Sequence, residues 1–147
     1  MPTSRPLPER RAAYPHFLTI TTRWADNDQY GHVNNVVYYQ FFDTVVNQYL
    51  IEAGVLDVAR GESIGLVVET ACRYFAPVSF PDTVHAGLRV VHLGTSSVRY
   101  EIGLFANDDD AAVAQGHFVH VYVDRVGRRP APLSAALRAA LGPLVPR

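Results

Sequence analysis

The sequence predicts an α+β domain in which a curved antiparallel sheet of about five strands wraps around one long central helix. Three observations predict it. One helix-length apolar pattern occurs early in the 147-residue chain. Four runs of period two follow it, separated by short turn signals. A single β-rich run precedes it.

Residues 1–15 are rich in proline and arginine and are expected to form a flexible N-terminal arm. A single domain then spans 16–147. Residues 16–24, HFLTITTRW, are β-branched and aromatic, as a strand requires. A polar turn over 26–31 leads to the helix pattern at 35–53. Its polar residues Gln40, Asp43, Thr44, Asn47, Gln48 and Glu52 recur every three or four positions and form one narrow stripe. The rest is large and apolar, so the helix is expected to be covered over most of its circumference. Asn34 or Asn35 suits the N-cap, and Gly54 sits where a left-handed glycine ends a helix.

Residues 64–80, 84–93, 97–106 and 111–124 read as four strands. In the third, Val98, Tyr100, Ile102 and Leu104 share one face while Arg99 and Glu101 share the other. Consecutive hairpins imply an antiparallel sheet. A short helix is expected over 134–141, capped by Ser134 and stopped at Gly142-Pro143. One sheet of this size has open edges, which dimerisation through an edge strand would close.

Apolar residues make up 48% of the chain, a globular balance. The net charge of -1 leaves no basic excess for nucleic acid. Every basic residue is arginine, so an anion site must use arginine or backbone N–H groups. The lone cysteine, Cys72, rules out an intrachain disulfide and reads as a small buried hydrophobe. No apolar run is long enough to span a membrane, and the N-terminus lacks a signal-peptide core. The expectation is a cytoplasmic protein.

The chemistry concentrates in Asp26-Asn27-Asp28-Gln29-Tyr30-Gly31-His32-Val33-Asn34-Asn35, between strand and helix. The first N–H groups of a helix lack intrahelical partners and carry partial positive charge. Aimed at a thioester carbonyl, such an N–H would stabilise the developing oxyanion. A carboxylate beside it could attack the carbonyl or deprotonate a water.

This segment, from Arg23-Trp24 through Asn35 and on to Tyr38-Tyr39 and Phe41-Phe42, resembles the signature of the 4-hydroxybenzoyl-CoA thioesterase branch of the hotdog superfamily. The family pattern is Asp-x-Asp-x-x-Gly, often continuing His-Val-Asn-Asn, before an aromatic-rich helix. The resemblance covers about residues 16–133 and implies a hotdog fold. It further implies hydrolysis of acyl-CoA-type thioesters to acid and thiol, homodimers or homotetramers with sites between chains, and no metal or cofactor. It makes Asp28 the catalytic carboxylate, nucleophile or general base, with Gly31 and His32 near the polarising N–H. The founding enzymes carry apolar residues where this chain has His32 and Asn34, so the acyl group stays open.

Other residues are weighed against blander roles. Asp26 suits a structural turn. Asn34 and Asn35 suit capping and loop-fixing, and are candidate substrate contacts with Tyr38, a core or pocket-wall residue. Arg125, Arg128 and Arg129 surround the turn at Gly127 and are candidates for the CoA phosphates. Asp43 is a second carboxylate, some 13 Å along the helix from its start. A calcium loop fails at Tyr30 and Val37. Zinc fails because His117 and His120 are three apart in a strand and face opposite sides. Three alternative functions stay open: acyl carrier protein as the thioester carrier, a hotdog hydratase or dehydratase, and a non-catalytic acyl-CoA-binding domain.

Overall fold

In the computed structural model, which describes residues 6–146, all the strands join one antiparallel sheet. The elements are β1 (His16–Thr21), α1 (Asn35–Glu52), β2 (Ser63–Tyr74), β3 (Thr83–Leu93), β4 (Ser97–Ala106), β5 (Ala114–Asp124) and α2 (Ala135–Leu141). The order across the sheet is β1-β3-β4-β5-β2. Hairpins join β3, β4 and β5, while β1 and β2 form the two edges.

The alternation in sequence becomes two faces. Val84, Ala86, Leu88 and Val90 of β3 and Val98, Tyr100, Ile102 and Leu104 of β4 are buried in one core with α1. Arg89 and Glu101 lie on the outer face and pair through two hydrogen bonds of 2.9 and 2.7 Å. The helix contributes Tyr38, Phe41, Phe42, Val45, Val46 and Leu50 to the core. Each such burial is worth roughly 1.5–3 kcal/mol before entropy is counted, so packing holds α1 in place more than propensity does. The Asn34 side chain accepts from Val36 N–H, and Gly54 ends the helix at φ +74°.

Cover over most of the helix circumference is not reached within one chain. Val36 is 60% and Ile51 55% exposed, and Gln40, Asp43 and Thr44 face solvent. The backbone of α1 lies nearest β3 and β1, so the β2 side of the sheet is left open. Two strand limits also differ from expectation. β2 stops at Tyr74, where the N–H groups of Phe75 and Ala76 both turn to Val113 C=O (2.8 and 3.1 Å) and Pro77 brings no N–H. β5 begins at Ala114, because Val113 N–H is drawn to Leu104 C=O (2.7 Å).

Residues 1–5 of the expected flexible arm lie outside the described residues. From Glu9 to Tyr14 the chain is held against the sheet. Glu9 N–H donates to Gln115 Oε1 (2.9 Å), and Arg11 reaches Asp109 and Asn107 carbonyls (2.8 and 2.6 Å). Tyr14 lies over Gly87 and Gly103, where any Cβ would collide with its ring. The final helix forms as expected, with Ser134 Oγ accepting from Leu137 N–H (3.1 Å). None of the described helices is long and apolar enough to cross a membrane.

Candidate active site

The loop between β1 and α1 is built from its own polar side chains. Asp26, 2% exposed, accepts from Arg23 N–H (2.7 Å) and from the Arg23 guanidinium (3.0 and 2.8 Å). Its carboxylate is committed to structure, as the sequence suggested. Asn27 accepts from Phe80 N–H (3.0 Å), and Ser79 Oγ donates to Gly31 C=O (2.5 Å). Val33 N–H reaches Val78 C=O (2.7 Å) and Asn34 N–H reaches Asp26 C=O (2.8 Å). The loop is thereby pinned to the β2–β3 connection.

Within it the chain reverses tightly. Asp28 N–H donates to His32 C=O (2.8 Å), and Gly31 N–H donates to Asp28 C=O (3.1 Å). Gly31 takes φ +83°, a left-handed backbone that glycine adopts without strain. Asp28 Oδ1 accepts from Tyr30 N–H (2.8 Å). Its second oxygen has no hydrogen-bond partner among the described residues. That half-buried carboxylate shares a recess of about 430 Å³ with Trp24, Asn27, Gln29 and Gly31.

At the helix start, Val36 N–H is taken by Asn34 Oδ1 (3.1 Å) and Val37 N–H by Asn34 C=O (2.9 Å). The N–H groups of His32 and Asn35 have no acceptor among the described residues. The N–H of Gly31, one of the two expected donors, is used inside the turn. The helix start itself therefore offers Asn35 N–H in its place.

Asp28, Gly31, His32, Asn34 and Asn35 thus come together in one loop and helix mouth. The His32 side chain is exposed, and Asn34 acts as the cap. Tyr38 is 3% exposed and packs its ring on Tyr74 at 4.8 Å, so it belongs to the core and the wall near the mouth. Tyr74 donates from its hydroxyl to Asn35 C=O (3.0 Å). Burial pushes the Cys72 thiol up to about 11, which keeps it protonated and unsuited to nucleophilic work.

The arginines do not join this cluster within one chain. Arg125 Nε donates to Gly61 C=O and Nη2 to Val58 C=O (2.7 Å), so its fork holds the loop before β2. Arg128 and Arg129 are exposed beyond the end of β5. Ala114, at the other end, pairs with Tyr74 beside Asn35. About 33 Å of strand separates the two ends. Two residues near the loop and core were given no site role by the sequence. Trp24, the only tryptophan, is 77% exposed in the Asp28 recess. His120 is 4% exposed on the inner face of the sheet. Its parity with Phe118 and Tyr122 along β5 was the available signal.

The profile of the thioesterase-like superfamily matches residues 22–141. The chain belongs to that superfamily. Membership makes it a thioesterase-type enzyme, and the five-stranded antiparallel sheet with its helix fits a hotdog fold. Among solved structures, the PA5185 protein of Pseudomonas aeruginosa strain PAO1 is 56% identical, with a TM-score of 0.91 over 94% of this chain and 96% of that chain. A thioesterase from Thermus thermophilus, complexed with coenzyme A and Zn, is 32% identical, with a TM-score of 0.74 over 91% and 97%. A 1,4-dihydroxy-2-naphthoyl-CoA thioesterase from Synechocystis is 17% identical, with a TM-score of 0.79 over 86% and 94%, a likeness of fold alone. No curated protein matches the chain.

Proposed function

We propose that this member of the thioesterase-like superfamily hydrolyses acyl-CoA-type thioesters, with the Asp28 carboxylate acting on the carbonyl carbon or on the attacking water. The observation that carries the reading is the Asp28 oxygen that has no partner among the described residues, held in a pinned loop and lining a recess next to a helix start whose Asn35 N–H is open. The thioester carbonyl would accept from His32 or Asn35 N–H. As nucleophile or water attacks, the tetrahedral oxyanion gains from that donor, worth roughly 10²- to 10³-fold in rate. Collapse then expels the thiolate. If Asp28 has attacked directly, water hydrolyses the mixed anhydride that remains. The coenzyme A bound to the Thermus thermophilus relative supports CoA as the carrier.

The reading includes a homodimer. β2 is a 12-residue edge strand, and Leu66, Val67 and Val68 are 38, 47 and 59% exposed along it. An unpaired apolar edge invites a second strand. A partner sheet joined there would cover the open side of α1 and make the helix central. It would also offer its own Arg128 and Arg129 to phosphates at this chain's site.

Asp28→Asn tests the chemistry. The amide suits the same turn, so the fold should persist. In a thiol-release assay on the best acyl-CoA, kcat should fall roughly 10²- to 10⁴-fold with KM little changed. Near wild-type turnover in a folded Asp28→Asn protein would sink the reading and pass attention to Asp43.

A further inference from the structure

The inner face of β2 is an open trough wall. Gly65 and Val67 point to the same side as the core residues of β5, yet both are exposed. The facing stripe of α1, Gln40, Asp43 and Thr44, is exposed as well. One end of this trough lies at the helix start, where Tyr74 meets Tyr38 and bonds Asn35. The other end lies at His120, which pairs with Val67 across the β2–β5 ladder. Asp43 on the helix is close enough to act on His120 electrostatically. From Asn35 to Asp43 the helix rises about 12 Å, a length that an extended decanoyl chain spans.

Three buried polar atoms sit at that far end without a partner among the described residues: both ring nitrogens of His120 and the hydroxyl of Tyr100. The two rings are neighbours, with centroids 5.3 Å apart. Phe118 covers the imidazole at 4.7 Å. Tyr122 lies close enough to interact with the Tyr100 hydroxyl, but no hydrogen bond between the two meets normal geometric limits. A Cβ at Gly65 would meet the Tyr122 ring at 3.1 Å and His120 Nδ1 at 3.3 Å, so the exposed glycine backbone lies against this edge of the buried imidazole. Each buried polar group left unpaired costs about 1–3 kcal/mol, and native interiors rarely retain several together.

We propose that His120 and Tyr100 form a polar subsite at the far end of the trough, receiving a hydroxyl carried on the acyl chain of the thioester. A hydroxyl both donates and accepts, which matches a neutral imidazole and a phenol. Burial lowers the His120 pKa to about 4, so the imidazole is neutral at physiological pH. The Asp43 carboxylate disfavours an anion in the same place. The inference rests on the proposed thioester hydrolysis and adds a substrate class to it: medium-chain acyl groups with a distal hydroxyl.

The test compares ω-hydroxydecanoyl-CoA with decanoyl-CoA in the wild type, His120→Phe and Tyr100→Phe. The wild type should favour the hydroxylated substrate about 10-fold in kcat/KM, the worth of one well-made buried hydrogen bond. Each variant should bring that ratio close to one. Tyr100→Phe removes a single oxygen and decides the matter if His120→Phe does not fold. No preference in the wild type, or a preference that survives in both variants, overturns the subsite. So does a His120→Phe protein that loses its dimer by light scattering, since the partner chain would then be what His120 meets. If the wild type cleaves neither thioester, hydrolysis of this class is refuted separately. The Kd ratio for the same pair, measured by calorimetry in the same variants, then decides the subsite.

Discussion

His120 should make this protein sensitive to mild acid. Burial lowers its pKa from 6.5 to about 4 in the folded chain, and the nearby Asp43 carboxylate opposes the shift only in part. The other titratable groups packed around it, Tyr100 and Tyr122, stay neutral because burial raises both. As pH falls through 6.5 the unfolded chain binds the proton first, so stability drops at about 1.4 kcal/mol per pH unit. The loss continues until the folded form titrates near 4 and then levels off. Across that window His120 alone costs the native state about 3 kcal/mol. Urea unfolding of the wild type and His120→Phe, at pH values above 6.5 and near 4, isolates the effect from the carboxylates that titrate in both. The wild type should lose about 3 kcal/mol more than the variant on acidification. Parallel losses in the two proteins would show that His120 is solvated or paired, and the reasoning would fail.

Gly103→Ala should place a methyl group 2.5–2.6 Å from ring atoms of Tyr14, displacing the N-terminal segment from the sheet. Thermal denaturation should show a loss of about 1–3 kcal/mol, and proteolysis near residue 14 should quicken. Asn34→Ala should lose the cap on Val36 N–H and about 1 kcal/mol of stability by urea titration. A second unpartnered N–H would then stand at the helix start. Light scattering should give a dimer mass, and Leu66→Lys on the β2 edge should shift it toward monomer with loss of thiol release. A fully active monomer would contradict the shared-site reading.

Much of the candidate site was legible as sequence because it is local. Asp28, Gly31, Asn34 and Asn35 fall within eight positions, and their bonds are mostly to one another. Asp26 read as structural, and its bonds to Arg23 three residues away explain why. Which N–H stays open at the helix mouth was not legible. It depends on Gly31 closing a turn onto Asp28 and on Asn34 satisfying both Val36 and Val37. The arginines illustrate the opposite failure. Their clustering in sequence is real, but Arg125 is drawn to carbonyls of residues 58 and 61, which no local pattern announces.

By itself the sequence determined the order of strands and helices along the chain and the two caps of α1. Apolar periodicity and capping chemistry act over a few residues, and any fold must satisfy them. It also pointed to the thioesterase superfamily, to which the match over residues 22–141 assigns the chain. Only the tertiary structure decided the strand order that sends β2 across the sheet to pair with β5, and hence which side of α1 stays open. Only it decided that His120 and Tyr100, from adjacent strands, meet without hydrogen-bond partners among the described residues. Pairings of this kind depend on residues tens of positions apart converging, because burial is a property of the assembled sheet and helix and not of any one segment.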